Sequence, residues 1–173
     1  VTDVARLLPN AAGRLVHNGD VHLGGPGAAI IFDGGTLEVQ DPGVFNLHAH
    51  AVNWPTFNGG LDIVPPLTTF SITNPIGTAS AYGSFAKYGA GDLVLTREIA
   101  QNRGWFRGGD TWLATNALSD FQGYVSLGLA AAERASLTVG GSGTLVSSND
   151  LNVGDTSGST GVLFETGTAL IRA

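Results

Sequence analysis

A five-residue run, Gly-x-Leu followed by an apolar residue or a short alternation, returns along this chain and sets what it can fold into. It occurs as GRLVH from residue 13, GTLEV from 35 and GGLDI from 59. It comes back as GDLVL from 91, GTLVS from 143 and GVLFE from 161. Alternation of this kind sends one side chain inward and the next outward along a strand. A strand of four or five residues cannot bury its own apolar face, but a stack of such strands can, which is the physical logic of a solenoid. The gap between 91 and 143 has room for two further units, and GDTWL from 109 and SLTV from 136 are degenerate copies of the same form. A glycine at the head of each strand suits a corner where the backbone turns with positive φ.

These features predict an all-β chain, 1–173, folded as one parallel β-helix domain, with a β-sandwich or jelly roll as the alternative. The 26 glycines without a collagen period, and the 43% hydrophobic and 13% charged residues, exclude disorder and ask for many tight turns. Helix is expected in few places. VTDVARLL (1–8) has its apolar residues at 1, 4, 7 and 8, a helical spacing, and residues 1–12 would form a cap or leader. LGLAAAERA (127–135) has high helix propensity but lies between strands, so a single turn is expected there. Residues 53–60 and 63–69, which carry the prolines Pro55, Pro65 and Pro66, are expected as loops.

Composition limits the partners. The net charge of −6, and eight scattered cations of which only Lys87 is lysine, argue against nucleic acid and anionic membranes. No run is long enough to span a membrane as a helix. Cysteine is absent, which excludes disulfides and thiolate chemistry. With no methionine either, the chain is expected to be a piece of something longer.

SFAKYGAGDLVLT (84–96) resembles the signature of the autotransporter-associated β-strand repeat, also called the passenger-associated transport repeat. Lys87, Gly89, Gly91, Leu93 and Leu95 match its Lys-x-Gly-x-Gly-x-Leu-x-Leu form. NRGWFRGGDTWLATN (102–116) is similar to the strand that follows in that family, and residues 30–39 and 55–63 to the strand pairs that precede it. The tail 140–173, with GSGTL and NVGDTSGSTGVLF, resembles repeats of large bacterial surface proteins. The resemblance implies a right-handed β-helix on an exported, surface-exposed or secreted bacterial protein.

Several residues are candidates for chemistry. In NLHAHAVNW, His48 and His50 are expected on one side of a strand, where two imidazoles can share a metal; a third ligand is not evident, and a solvated face is the simpler expectation. Glu38 and Asp62 hold equivalent places in GTLEV and GGLDI and are expected to stack one above the other, an arrangement suited to Ca²⁺ or to acid–base work on a polysaccharide. Asp92 sits one place earlier in its unit and does not extend that pair. Trp54, Trp105 and Trp112 with Phe106 are candidates for a sugar-stacking platform, Trp105 and Phe106 lying between Arg103 and Arg107 in an expected loop. Around Asp155 a turn is expected rather than a calcium or phosphate loop. No cofactor is implied.

The leading expectation is therefore a structural or adhesive, extracellular bacterial segment that pairs with copies of itself or with further rungs of a longer chain, with glycans as a further partner. A carbohydrate-active β-helix using Glu38 and Asp62 and a phage or viral fibre piece are the alternatives.

Overall fold

The computed structural model describes residues 4–8, 14–17, 23, 27–44, 46–78, 83–114 and 117–173. In chain order the strands are β1 (Val4–Leu7), β2 (Arg14–His17), β3 (Ala29–Val39), β4 (Ala51–Val52), β5 (Asn58–Ile63) and β6 (Thr69–Ile72). They continue as β7 (Ser84–Tyr88), β8 (Asp92–Leu95), β9 (Ile99–Gln101), β10 (Arg103–Phe106), β11 (Gly108–Leu113) and β12 (Leu118–Phe121). The last are β13 (Val125–Leu127), β14 (Arg134–Val139), β15 (Thr144–Ser147), β16 (Leu151–Val153), β17 (Thr160–Glu165) and β18 (Leu170–Arg172).

From β7 onward each turn of the chain lays one strand on each of three sheets. The first sheet runs β1-β3-β5-β7-β10-β13-β16, with β2 and β4 also on β3; the second runs β6-β8-β11-β14-β17 and the third β9-β12-β15-β18. Every pairing among the described strands is parallel. The fold is a parallel β-helix of about 6 turns, and the antiparallel sandwich considered from sequence does not form.

Register is what makes the core continuous. On the second sheet Phe70, Leu93, Thr111, Leu137 and Leu163 form one inward column. Ile72, Leu95, Leu113 and Val139 form the next. The degenerate copies GDTWL and SLTV thus stack in register with GDLVL and GVLFE, whereas GTLEV and GGLDI belong to the first sheet and GTLVS to the third. One sequence form serves all three walls. Inside the coil, Phe32, Phe57, Phe85, Phe106 and Phe121 follow one another as an aromatic series with centroid separations of 4.5 to 6.3 Å.

The glycines divide two tasks. In KYGAGDL, Gly89 has φ +78° and makes the turn, while Gly91 clears the rung beneath: a Cβ there would lie 2.4 Å from the Ile63 side chain and 2.7 Å from the Pro65 carbonyl. In this unit the leading glycine serves close approach and the positive φ sits two residues earlier, as it does at Gly141 before Gly143, whereas Gly109 at the head of GDTWL itself turns with φ +59°, as expected.

Two expectations are corrected. Residues 4–7 are a strand paired with Ala29–Phe32, not a helix; Leu7 is buried while Leu8 is half exposed, the alternation of a strand rather than a helical stripe. Asn58–Gly60 and Thr69 are strand, so those two expected loops are shorter, with a 3-10 turn at Trp54–Thr56. The segment 128–133 is a turn between β13 and β14, as expected.

Thr111 tests the column argument. Its Oγ1 is buried and has no hydrogen-bond partner among the described residues, in a place where the rungs on either side carry leucine. An unsatisfied buried hydroxyl costs about 1–3 kcal/mol. Thr111→Val should raise stability by about 1 kcal/mol in urea denaturation at unchanged m-value; a loss of stability would contradict the inward placement.

Candidate functional site

The inner column of the first sheet runs Leu37, Leu61, Lys87, Phe106, Leu127. Lys87, the chain's one lysine, therefore enters the coil between Leu61 and Phe106 of the flanking rungs, and it is fully buried. An ammonium in such a place must find acceptors. Its four-carbon stem carries Nζ to the corner between the first and second sheets. There it donates to the carbonyls of Gly89 at 2.9 Å, Gly108 at 2.5 Å and Gly91. Burial lowers its pKa to about 8, against the opposing pull of Asp92, Asp62 and Asp110. Two successive turns are thus joined through one cation, which ties the carbonyls of the 89–91 corner to that of Gly108 on the rung above. With no exposed surface, this amine is engaged inside the coil as a clamp between the two turns.

That corner also accounts for one of the candidate acids. Glu38 and Asp62 stack in register on β3 and β5, as expected, with Tyr88 next in the column. They do not form an open dyad. Glu38 is buried and accepts from Gln40 Nε2 at 2.6 Å, while Asp62 contributes to the field around Lys87. Asp92 lies on the second sheet, where it accepts from the Asp110 amide at 3.3 Å.

The histidines are not on a strand. The Asn46 side chain accepts from the His48 amide and the His50 amide bonds back to Leu47, so residues 46–50 form a turn. His48 is exposed with Nε2 2.9 Å from Thr73 Oγ1, whereas His50 is buried. Both border a cleft that also includes Trp54 and Asn74. Among the described residues no group of three His, Cys, Asp or Glu side chains gathers to hold a metal.

The four aromatics expected as one platform are split three ways. Trp54 is buried against Phe32 and Phe57, and Phe106 is in the core. Residues 103–106 are strand β10 rather than loop, so Arg103 and Trp105 share the outer face of the first sheet. There the Arg103 guanidinium lies 5.2 Å from the Tyr124 ring, which meets Trp105 edge-on. Arg107, just beyond the strand, covers the Tyr88 ring and is bound by Glu133 at 2.5 and 2.7 Å. Burial pushes the Glu133 carboxyl up, but Arg107 and the amides of Ala130 and Leu129 outweigh it and hold it below its usual range. Trp112 stands apart, exposed on the outer face of the second sheet. Around Asp155 the chain turns through Gly154, with Thr156 and Ser159 bonded to each other.

The sequence pattern pointed to Lys87 only through the repeat signature. Its inward place was readable from Phe85 two residues before it, since alternation puts both on one side of β7.

The chain matches no protein-family model, no curated protein and no solved structure.

Because Lys87 is the sole lysine, its titration can be followed as one signal in protein labelled at lysine. A midpoint near 8 is expected, against about 10.4 in the unfolded chain. Below the lower value both states hold the proton and the penalty of burying the charge is complete. Between the two values the unfolded chain retains a proton that the folded chain has shed, so stability rises with pH across that window. Lys87→Met should abolish that rise, and at neutral pH should cost about 2–3 kcal/mol by leaving buried carbonyls without a donor. A midpoint above 10 would contradict the buried placement.

Proposed function

We propose that this chain is a structural or adhesive segment of an extracellular bacterial surface or secreted protein, a stiff coil that separates or displays other parts. The observation that carries this reading is the uninterrupted register of the three sheets from β7 to β18. A coil of this kind lengthens by adding rungs and leaves its outer faces free for contact. The repeat-like signature at 84–96 and the tail 140–173 support an exported setting. Fold alone does not assign a function, so the weight falls on the site. There the buried Lys87 serves a corner, and the stacked acids Glu38 and Asp62 are occupied by Gln40 and by the field of Lys87.

The partner in this reading is a further rung, from a second copy or from a longer chain. Leu151, Leu163 and Ile171 on the last turn are only partly covered, and among the described strands β16, β17 and β18 each pair on one side only. Such edges and half-covered apolar side chains favour further parallel strands.

Sedimentation of the purified chain should show species that grow with concentration, and incubation with pectate, alginate and hyaluronate, with and without calcium, should release no product. A clean monomer at high micromolar concentration removes the self-association. Turnover lost in Asp62→Asn would replace the structural reading with a carbohydrate-active enzyme.

A further inference from the structure

The outer face of the second sheet carries two columns with different chemistry. Along the middle of the strands, Trp112, Thr138 and Phe164 follow one another on successive rungs. Two places earlier on β11 and β14 stand Asp110 and Ser136, whose hydroxyl bonds to the Asp110 carboxylate, with Asp92 on the rung before. Together they line a shallow groove of about 400 Å³.

The two rings in this groove differ from the other outward aromatics. Trp105 is matched with Tyr124, and Tyr88 with Arg107. Trp112 and Phe164 have no ring or cation partner among the described residues and are 47% and 51% exposed. Two large aromatic rings left in water on one column of an outer face mark a binding surface. The Trp112 indole is also held in place from beneath: a Cβ on Gly140 would come within 3.0 Å of its Nε1 and Cζ2, so the ring rests on bare backbone.

Spacing and charge identify the ligand. Two rungs separate Trp112 from Phe164 by about 9.6 Å along the coil axis. That is close to the disaccharide repeat of an extended β-linked hexose chain, so sugars one apart can each lie on a ring while the one between passes Thr138. Pyranose rings present C–H faces to aromatic rings and hydroxyls at their edges. About 7 Å to one side, Asp92, Asp110 and Ser136 offer acceptors for those hydroxyls. The same carboxylates, on a chain of net charge −6, repel uronates.

We propose that this groove binds an uncharged, extended β-linked hexose oligosaccharide lying along the coil axis, with Trp112 and Phe164 as platforms. The proposal deepens the adhesive reading above and rests on it.

Titration of the intact chain with cellohexaose, followed by tryptophan fluorescence and calorimetry, tests this. Saturable binding is expected, weakened about tenfold by Trp112→Ala and by a comparable factor by Phe164→Ala. Trp112→Phe should retain most of it and Trp105→Ala all of it, and hexagalacturonate should not bind. Far-UV circular dichroism of each variant should match the parent, since both rings are on the surface. Absence of saturation at millimolar cellohexaose, equal binding by Trp112→Ala, or equal binding of hexagalacturonate would overturn the proposal. A chain that fails to bind yet still associates in sedimentation loses the glycan site alone. Cleavage of cellohexaose would overturn the structural reading as well.

Discussion

Parallel strands stack roughly 4.8 Å apart, and that distance governs this molecule. It obliges each turn to set its inward side chains directly over those of the turn before, so the core is a set of columns rather than a single cluster. It also leaves no room for a side chain where a corner passes close over the rung beneath. Gly91 shows the consequence, since a methyl group there would collide with Ile63 and the Pro65 carbonyl. Corners filled only by backbone collect carbonyl groups that no strand partner satisfies. At the 89–91 corner, Lys87 meets that need from inside the coil, with Asp62, Asp92 and Asp110 offsetting the cost of burying its charge. The one charged residue in an apolar column thus follows from the geometry of the corner beside it.

The outer surfaces are free of that constraint, and they differ. On the first sheet, Arg103 and Trp105 contact Tyr124, and Arg107 covers Tyr88 and pairs with Glu133. On the second, Trp112 and Phe164 remain exposed beside acidic neighbours. A face of paired aromatics and a face of exposed ones fit the display or adhesion role proposed above.

Much of the fold was legible because its period is two. Leucine in the third place of each run marked the inward columns, and even the degenerate GDTWL fell into register. The grouping into walls was not legible, since GTLVS and GDLVL have the same form yet lie on different sheets. Pairing partners are decided by turn length, which the strands do not encode. Residues 4–7 were ambiguous for a related reason: over so short a stretch an apolar spacing fits helix or strand, and the pairing with Ala29–Phe32 decides it. At 46–50 the Asn46 side chain bends the chain, a local hydrogen bond that alternation alone conceals. The stacking of Glu38 on Asp62 was readable from equivalent positions, but their surroundings were not, because Gln40 and Lys87 act across the pattern. Of the groove, Trp112 was visible as a candidate. Phe164 gained meaning only once register set it two rungs away on the same column.

Because the chain has no cysteine, its register can be read by chemical cross-linking with nothing to remove first. Ser136 and Val162 are direct partners on β14 and β17, at a separation a disulfide can span, whereas Ser136 and Phe164 are offset by two residues and lie about 8 Å apart. Oxidation of the Ser136→Cys/Val162→Cys variant should give a rapid, quantitative intramolecular disulfide, and the Ser136→Cys/Phe164→Cys variant should remain reduced. The reverse outcome, or equal reactivity of the two pairs, would contradict the in-register coil.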